Sequence, residues 1–100
     1  MAEPGSAYHY SGGGYEIAEA LMADAVGASF LELMDNLVLR PAGMGRSTFA
    51  QPLPEDLAGQ AVTGHYADGK ELPGGYHVFP EHAAAGLWST PTDLARLLLI

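Results

Sequence analysis

The chain has 100 residues, of which 48% are hydrophobic; it has no cysteine and a formal net charge of −8 at pH 7. This length suits one small globular domain and excludes two large ones, and the absence of cysteine excludes disulfides. Four Lys and Arg residues stand against twelve acids, so the sequence predicts no nucleic-acid partner. No apolar run approaches the roughly 18 residues needed to span a bilayer, and the first residues lack the pattern of a signal peptide. The sequence does not decide whether the protein is cytoplasmic or exported.

Two helices are predicted in the first half of the chain. The segment 4–14 is expected to be extended and to end in a flexible glycine turn, Gly12–Gly14. A helix then runs from Tyr15 to Val26 and stops at Gly27, with its acids opposite its apolar stripe. A second helix begins at the capping box Ser29–Glu32 and ends at Pro41. The predicted core residues on these helical stripes are Tyr15, Leu21, Met22, Phe30, Leu33, Met34 and Leu37.

The second half is predicted to be irregular, apart from one hairpin and one helix. Prolines break the stretch 41–54, and Glu55-Asp56 is expected to be a solvated charge pair in a loop. A short hairpin over 65–72 is predicted to turn on the two residues Asp68-Gly69. Thr90 is the expected N-cap of a third helix, with Pro91 in its first position and Asp93 in its first turn. The fold class is therefore mostly α with a small β-hairpin.

No metal or cofactor is predicted. The four histidines, His9, His65, His77 and His82, do not fall at the spacings that aim two imidazoles at one ion. No serine lies in a Gly-x-Ser-x-Gly motif, so the sequence gives no support to an α/β-hydrolase site.

Four segments in order resemble one known family. They are Pro4-Gly5 with Tyr10-Ser11 and Tyr15, then Arg40–Met44, then Gly64–Tyr66 with Asp68-Gly69, and finally Ala84–Thr90 with Asp93–Arg96. Together they resemble the serine β-lactamase and penicillin-binding-protein-like superfamily, especially its class C and esterase branch, over nearly the whole chain. The resemblance implies that residues 1–100 form a single partial domain, the helical part of the α+β fold of that family.

The resemblance also implies a catalytic role for Tyr10. In that family a serine in a Ser-x-x-Lys motif attacks the substrate carbonyl, and the tyrosine of Tyr-x-Asn relays protons; Tyr10 occupies that tyrosine position. A phenol with an ordinary pKa near 10 is a poor base at neutral pH unless cations lie nearby. The chain has one lysine, Lys70, and contains neither Ser-x-x-Lys nor Lys-Thr-Gly nor His-x-Gly, so the 100 residues alone are expected to be inactive. The alternative role for Tyr10 is packing onto the helix.

Two further positions are candidates for substrate binding. Gly12 stands where the family has asparagine; the loss of that amide favours ester cleavage or loose specificity over β-lactam hydrolysis. Trp88 is either a packing residue or a wall of the acyl-binding cleft.

Two functions therefore stay open. The first is a fragment of a serine hydrolase that acts on a small-molecule ester, amide or β-lactam. The second is a non-catalytic interaction module, which would self-associate through its apolar C-terminal segment, Leu97–Ile100.

Overall fold

The computed structural model describes residues 2–100 and confirms a mostly helical fold with almost no strand. Helix α1 packs against α4 and α2, and α2 also packs against α4. None of the helices in the described part of the chain is long and apolar enough to cross a membrane. The helices are α1 (Gly12–Val26), α2 (Phe30–Met34), continued by a π-helical turn (Asp35–Leu39), α3 (Glu55–Ala58), α4 (His82–Ala85) and α5 (Pro91–Leu98).

Helix α1 begins earlier than predicted. The side-chain oxygen of Ser11 accepts a hydrogen bond from the backbone N–H of Gly14 at 3.0 Å, which makes Ser11 the N-cap. Gly12–Gly14, expected to be a flexible turn, form the first turn of the helix instead. The N-cap satisfies an amide that would otherwise be unpaired, and this offsets the poor helix propensity of glycine. The predicted stop is confirmed, because Gly27 adopts a left-handed φ of 72° and donates to the carbonyl of Ala23.

No side chain of α1 is fully buried, and its half-buried side carries two acids instead of the predicted apolar stripe. Leu21 is 68% exposed, while Glu16 and Glu19 are half-buried against α4. The core prediction is therefore wrong for the exposed side chains Tyr15, Leu21, Met22 and Leu37. It is confirmed for Phe30 and Leu33, which lie in the core of the described residues with Leu39, Met44 and Leu53. Periodicity identifies an apolar face but does not show which side of the helix meets a neighbour.

Helix α2 confirms the capping box. The backbone N–H of Ser29 donates to Glu32 Oε2 at 3.0 Å, and the backbone N–H of Glu32 donates to Ser29 Oγ at 3.3 Å. The hydrogen bonds from the Ser29 side chain and backbone favour the carboxylate, so they lower the pKa of Glu32. Phe30, the first residue of α2, packs edge-on against Phe49 with ring centroids 5.2 Å apart.

The predicted hairpin is present, with a longer turn. The backbone N–H of Tyr66 donates to the carbonyl of Lys70 at 2.8 Å, and His65 forms a single antiparallel bridge with Glu71. The turn has three residues, 67–69, because only Gly69 has a positive φ (86°), whereas a two-residue turn on Asp68-Gly69 would need it at both. This Gly-closed three-residue turn is the next commonest hairpin geometry.

Two one-turn helices were not predicted. Glu55 and Asp56, expected in a loop, lie in the first turn of α3, although both are exposed as expected. Four residues are too few for a periodic pattern to be visible in the sequence. Helix α4 is stabilised by groups distant in the chain, which sequence spacing does not reveal.

Helix α5 confirms the predicted third helix. Thr90 Oγ1 accepts a hydrogen bond from the backbone N–H of Asp93 at 3.2 Å, and Pro91 occupies the first helical position. Just before this helix, Trp88 pairs with Thr48 through two backbone hydrogen bonds of 2.8 and 2.9 Å. These bonds join the irregular middle of the chain to α5.

Candidate functional site

Tyr10 lies in extended backbone directly before the N-cap of α1. Its side chain is 88% exposed and borders an open depression of about 440 Å³. No Asp, Glu, Lys or Arg of the described residues lines this depression. Its lining residues are Tyr8, His9, Tyr10, Ser11, Gly14, Tyr15 and Ala18. The phenol is thus reachable from solvent and has no charged neighbour in the depression.

Gly12 brings the start of α1 close to α4. A Cβ atom placed on Gly12 would lie 3.7 Å from the Cβ of Ala84, an ordinary van der Waals contact. Position 12 therefore faces α4. The resemblance to the family predicts an asparagine at this position.

Two carboxylates of α1 hold α4 at its N-terminal end. Glu19 accepts from the backbone N–H of Ala83 at 2.8 Å and lies 3.1 Å from His82 Nδ1, and Glu16 accepts from the backbone N–H of Ala84 at 3.0 Å. These amides are among those that a helix cannot satisfy internally, so the two carboxylates supply the missing acceptors. We call these five residues, Glu16, Glu19, His82, Ala83 and Ala84, the carboxylate clasp.

Trp88 lies after α4 and lines depressions other than the one beside Tyr10. Its ring packs edge-on against Tyr76 with centroids 4.9 Å apart. It lines two depressions, and neither shares a residue with the one beside Tyr10. The structure therefore brings Gly12 and α4 together, while the side chains of Trp88 and Tyr10 line separate depressions.

Asp93 is a buried charged residue, with 1% of its surface exposed. Its carboxylate accepts from the backbone N–H of Arg46 and from Ser47 Oγ, both at 2.8 Å, and from the Arg96 guanidinium at 3.0 Å. Burial alone would raise the pKa of Asp93. The bonds from Ser47 and Arg46 and the charge of Arg96 outweigh burial, so the pKa lies below its ordinary value.

Sequence reasoning missed this role of Asp93. It placed Asp93 in the first turn of the third helix and in a segment that resembles the family, without predicting its burial. The available signal was Arg96 three residues later, a spacing that places the two side chains side by side on one helix face. The partners Arg46 and Ser47 are 47 and 46 residues away in the chain, beyond the reach of local patterns.

No metal centre is visible in the described residues. Across 2–100, no group of three or more His, Asp or Glu side chains is arranged to hold a metal ion.

The chain belongs to the beta-lactamase family, whose family model matches residues 1–100. Among solved structures, it is similar to a class C beta lactamase, with a TM-score of 0.76 and 21% identity over 97% of this chain and 28% of that one. A beta-lactamase from Sulfitobacter sp. EE-36 matches with a TM-score of 0.72 and 21% identity, over 89% of this chain and 24% of that one. The octameric penicillin-binding protein homologue from Pyrococcus abyssi matches with a TM-score of 0.70 and 25% identity, over 98% and 22%. No curated protein matches the chain.

These similarities confirm the family and the fold expected from the sequence. The chain spans 28% or less of the length of these three structures. It is a helical segment of the beta-lactamase fold.

Proposed function

We propose that this chain is the segment of a serine hydrolase that carries its proton-relay tyrosine, Tyr10. The whole protein would hydrolyse an ester, amide or β-lactam through an acyl-serine intermediate. The observation that carries the proposal is the family match over residues 1–100. The proposal is supported by the exposure of Tyr10 directly before the N-cap of α1, because a group that relays protons must reach the substrate.

In this mechanism the Tyr10 oxygen moves protons in both half-reactions. When the serine oxygen attacks the carbonyl, Tyr10 takes the serine proton and passes it to the leaving group, whose bond to the carbonyl carbon breaks. In the second half, Tyr10 takes a proton from water as the water oxygen attacks the acyl group. The proton then returns to the serine as the ester bond to the enzyme breaks.

The groups that activate Tyr10 would come from the rest of the protein. The chain has one lysine, Lys70, which follows the hairpin turn. Its Nζ lies 3.5 Å from Asp68 Oδ2. The sequence has no serine followed three residues later by lysine. The nucleophile and the cation that favours a phenolate would therefore both lie outside these 100 residues.

A preference for an ester substrate stays a prediction, because position 12 faces α4 and does not line the depression beside Tyr10. Without a side chain at position 12, the site lacks one amide that could hydrogen-bond a substrate amide group. A binding role for Trp88 stays a prediction, since its side chain lines other depressions than that of Tyr10.

The test is an acyl-enzyme experiment on the full-length protein that carries this segment. Mixing it with p-nitrophenyl acetate should release a burst of about one equivalent of nitrophenol, the kinetic signature of a covalent intermediate. Intact mass spectrometry should then show one acetyl adduct on a serine followed three residues later by lysine. Absence of both the burst and the adduct, in a folded protein, would contradict the proposal.

A second candidate function is an interaction module, because the C-terminal segment is apolar and open. Leu98 is 85% exposed, and Leu99 and Ile100 are exposed as well. Exposed apolar residues in a row are typical of a surface that another molecule covers. If this surface binds a second copy, sedimentation should show a concentration-dependent dimer that Leu98→Asp abolishes. A monomer at all concentrations would exclude self-association.

A further inference from the structure

The side chain of Tyr10 has little to hold it in place. It is 88% exposed and makes no hydrogen bond within the described residues. The backbone at Tyr10 therefore sets only the region that the phenol can reach. The next residue, Ser11, is fixed to α1 because its side chain caps Gly14. The orientation of α1 thus sets where the backbone of Tyr10 lies and which region its phenol can reach.

The carboxylate clasp sets the orientation of α1 relative to α4. Its bonds join residues 63 to 68 positions apart in the chain. Glu16 and Glu19 lie about one and two turns after the start of α1, near the end that carries Tyr10. Gly12 adds a close approach of the two helices, because a Cβ at this position would contact Ala84. The contacts between α1 and α4 thus lie toward the Tyr10 end of α1.

The far end of α4 leads to the other predicted site residue. Gly86 caps α4, and its carbonyl accepts from the side-chain amide of Gln51 at 3.0 Å. Trp88 follows two residues later and is fixed by its pairing with Thr48. The clasp therefore joins the helix that follows Tyr10 to the segment that leads into α5.

We propose that Glu16 and Glu19 are positioning residues, which hold Tyr10 in its working geometry by bonding the N-terminal amides of α4. This inference rests on the proposed function of Tyr10. It assigns to two acids of α1 a role other than solvation. Small displacements of a reacting group cost rate steeply, so loosening the clasp should lower kcat more than it changes KM.

The experiment compares three variants of the full-length protein. Glu16→Ala with Glu19→Ala removes the acceptors, whereas Glu16→Gln with Glu19→Gln keeps one carbonyl oxygen at each position for the α4 amides. Asp24→Ala is the matched control, because Asp24 is an exposed acid on α1 with no hydrogen bond or ion pair within residues 2–100. Each variant is assayed with p-nitrophenyl acetate. Each is also labelled with 3-fluorotyrosine at position 10 for fluorine NMR.

We expect the double alanine variant to lose about 10- to 100-fold in kcat with little change in KM. Its fluorine resonance should shift or broaden, while the double glutamine variant and Asp24→Ala should resemble the wild type in both readouts. If the double alanine variant fails to fold, Glu16→Ala alone should show the same changes at smaller size.

Three outcomes separate the inference from the proposed function. If the double alanine variant is folded and keeps both the wild-type kcat and the wild-type fluorine resonance, the positioning role is wrong. A variant that loses stability but keeps the resonance also overturns it. If Tyr10→Phe leaves hydrolysis unchanged, the proposed function is wrong, and the fluorine resonance still decides whether the clasp positions Tyr10.

Discussion

Two glycines that end short helices should respond in opposite ways to the same substitution. Gly86 follows α4 with φ −93° and ψ −9°, and Gly59 follows α3 with φ −68° and ψ −10°. Both backbones are right-handed, so alanine meets no conformational strain at either position. A Cβ on Gly86 would lie 2.7 Å from His82 Cα and 2.8 Å from the His82 carbonyl oxygen, while nothing lies within 4 Å at Gly59.

The expected free energies follow from this difference in space. The atoms that Gly86→Ala meets are backbone, so they cannot rotate away, and α4 must shift. Forcing one extra carbon into such a site costs about 1–3 kcal/mol. At both positions alanine also restricts the unfolded chain, which stabilises by about 0.4–1 kcal/mol. We therefore expect Gly86→Ala to lower the free energy of unfolding by about 1–2 kcal/mol and Gly59→Ala to raise it by about 0.5 kcal/mol.

Urea unfolding followed by far-UV circular dichroism measures this contrast. The urea concentrations at the unfolding midpoints of the two variants should move in opposite directions. The slope of the unfolding free energy against urea concentration should stay unchanged. A Gly86→Ala variant as stable as Gly59→Ala would refute the account of close packing at the end of α4.

The remaining predictions concern Asp93 and Ser11. The pKa of Asp93 is lower in the folded chain than the ordinary value, so its contribution to stability is complete above about pH 4 and is lost as the pH falls further. Asp93→Asn should make the free energy of unfolding fall less steeply in acid, measured by urea unfolding across that pH range. Asp56→Asn, at an exposed site, is the control. A fall as steep as that of the wild type would contradict this prediction. Ser11→Ala should cost about 1 kcal/mol, because it removes the N-cap of a helix whose first turn is three glycines. Hydrogen exchange at Gly14 should accelerate in this variant while exchange near Gly27 stays constant, and equal exchange at Gly14 would show that the cap is not needed.

Local signals predicted most of the helical framework. The capping box at Ser29, the left-handed stop at Gly27 and the Thr90-Pro91 helix start each depend on residues within a few positions of one another. Such signals are visible in a sequence because the hydrogen bonds that they report are local.

The failures of sequence reasoning concern contacts between distant residues. Helix α4 is only four residues long and is stabilised by Glu16 and Glu19, more than sixty positions earlier. For the same reason the sequence placed the acids of α1 opposite its apolar stripe without predicting that two of them contact α4. The burial of Asp93 likewise depends on Arg46 and Ser47, which no local pattern connects to it.

The candidate site was predictable only in part. Tyr10 and Gly12 were chosen by resemblance to a family, and the match over residues 1–100 confirms that family. Their roles in catalysis and binding stay predictions, because the chain contains none of the motifs Ser-x-x-Lys, Lys-Thr-Gly and His-x-Gly with which they would act. The clasp beside Gly12 could not be predicted, since no motif in the sequence marks it.

The most direct test of the central claim compares Tyr10→Phe with Tyr8→Phe in the full-length protein. The two tyrosines are two residues apart and almost equally exposed, at 88% and 87%, and each substitution removes one hydroxyl. Loss of a general acid–base group costs about 10²- to 10⁴-fold in rate. With p-nitrophenyl acetate as substrate, we expect Tyr10→Phe to lose kcat/KM in this range and Tyr8→Phe to stay within about twofold of the wild type. Equal activity of the two variants would contradict the assignment of Tyr10 as the proton relay.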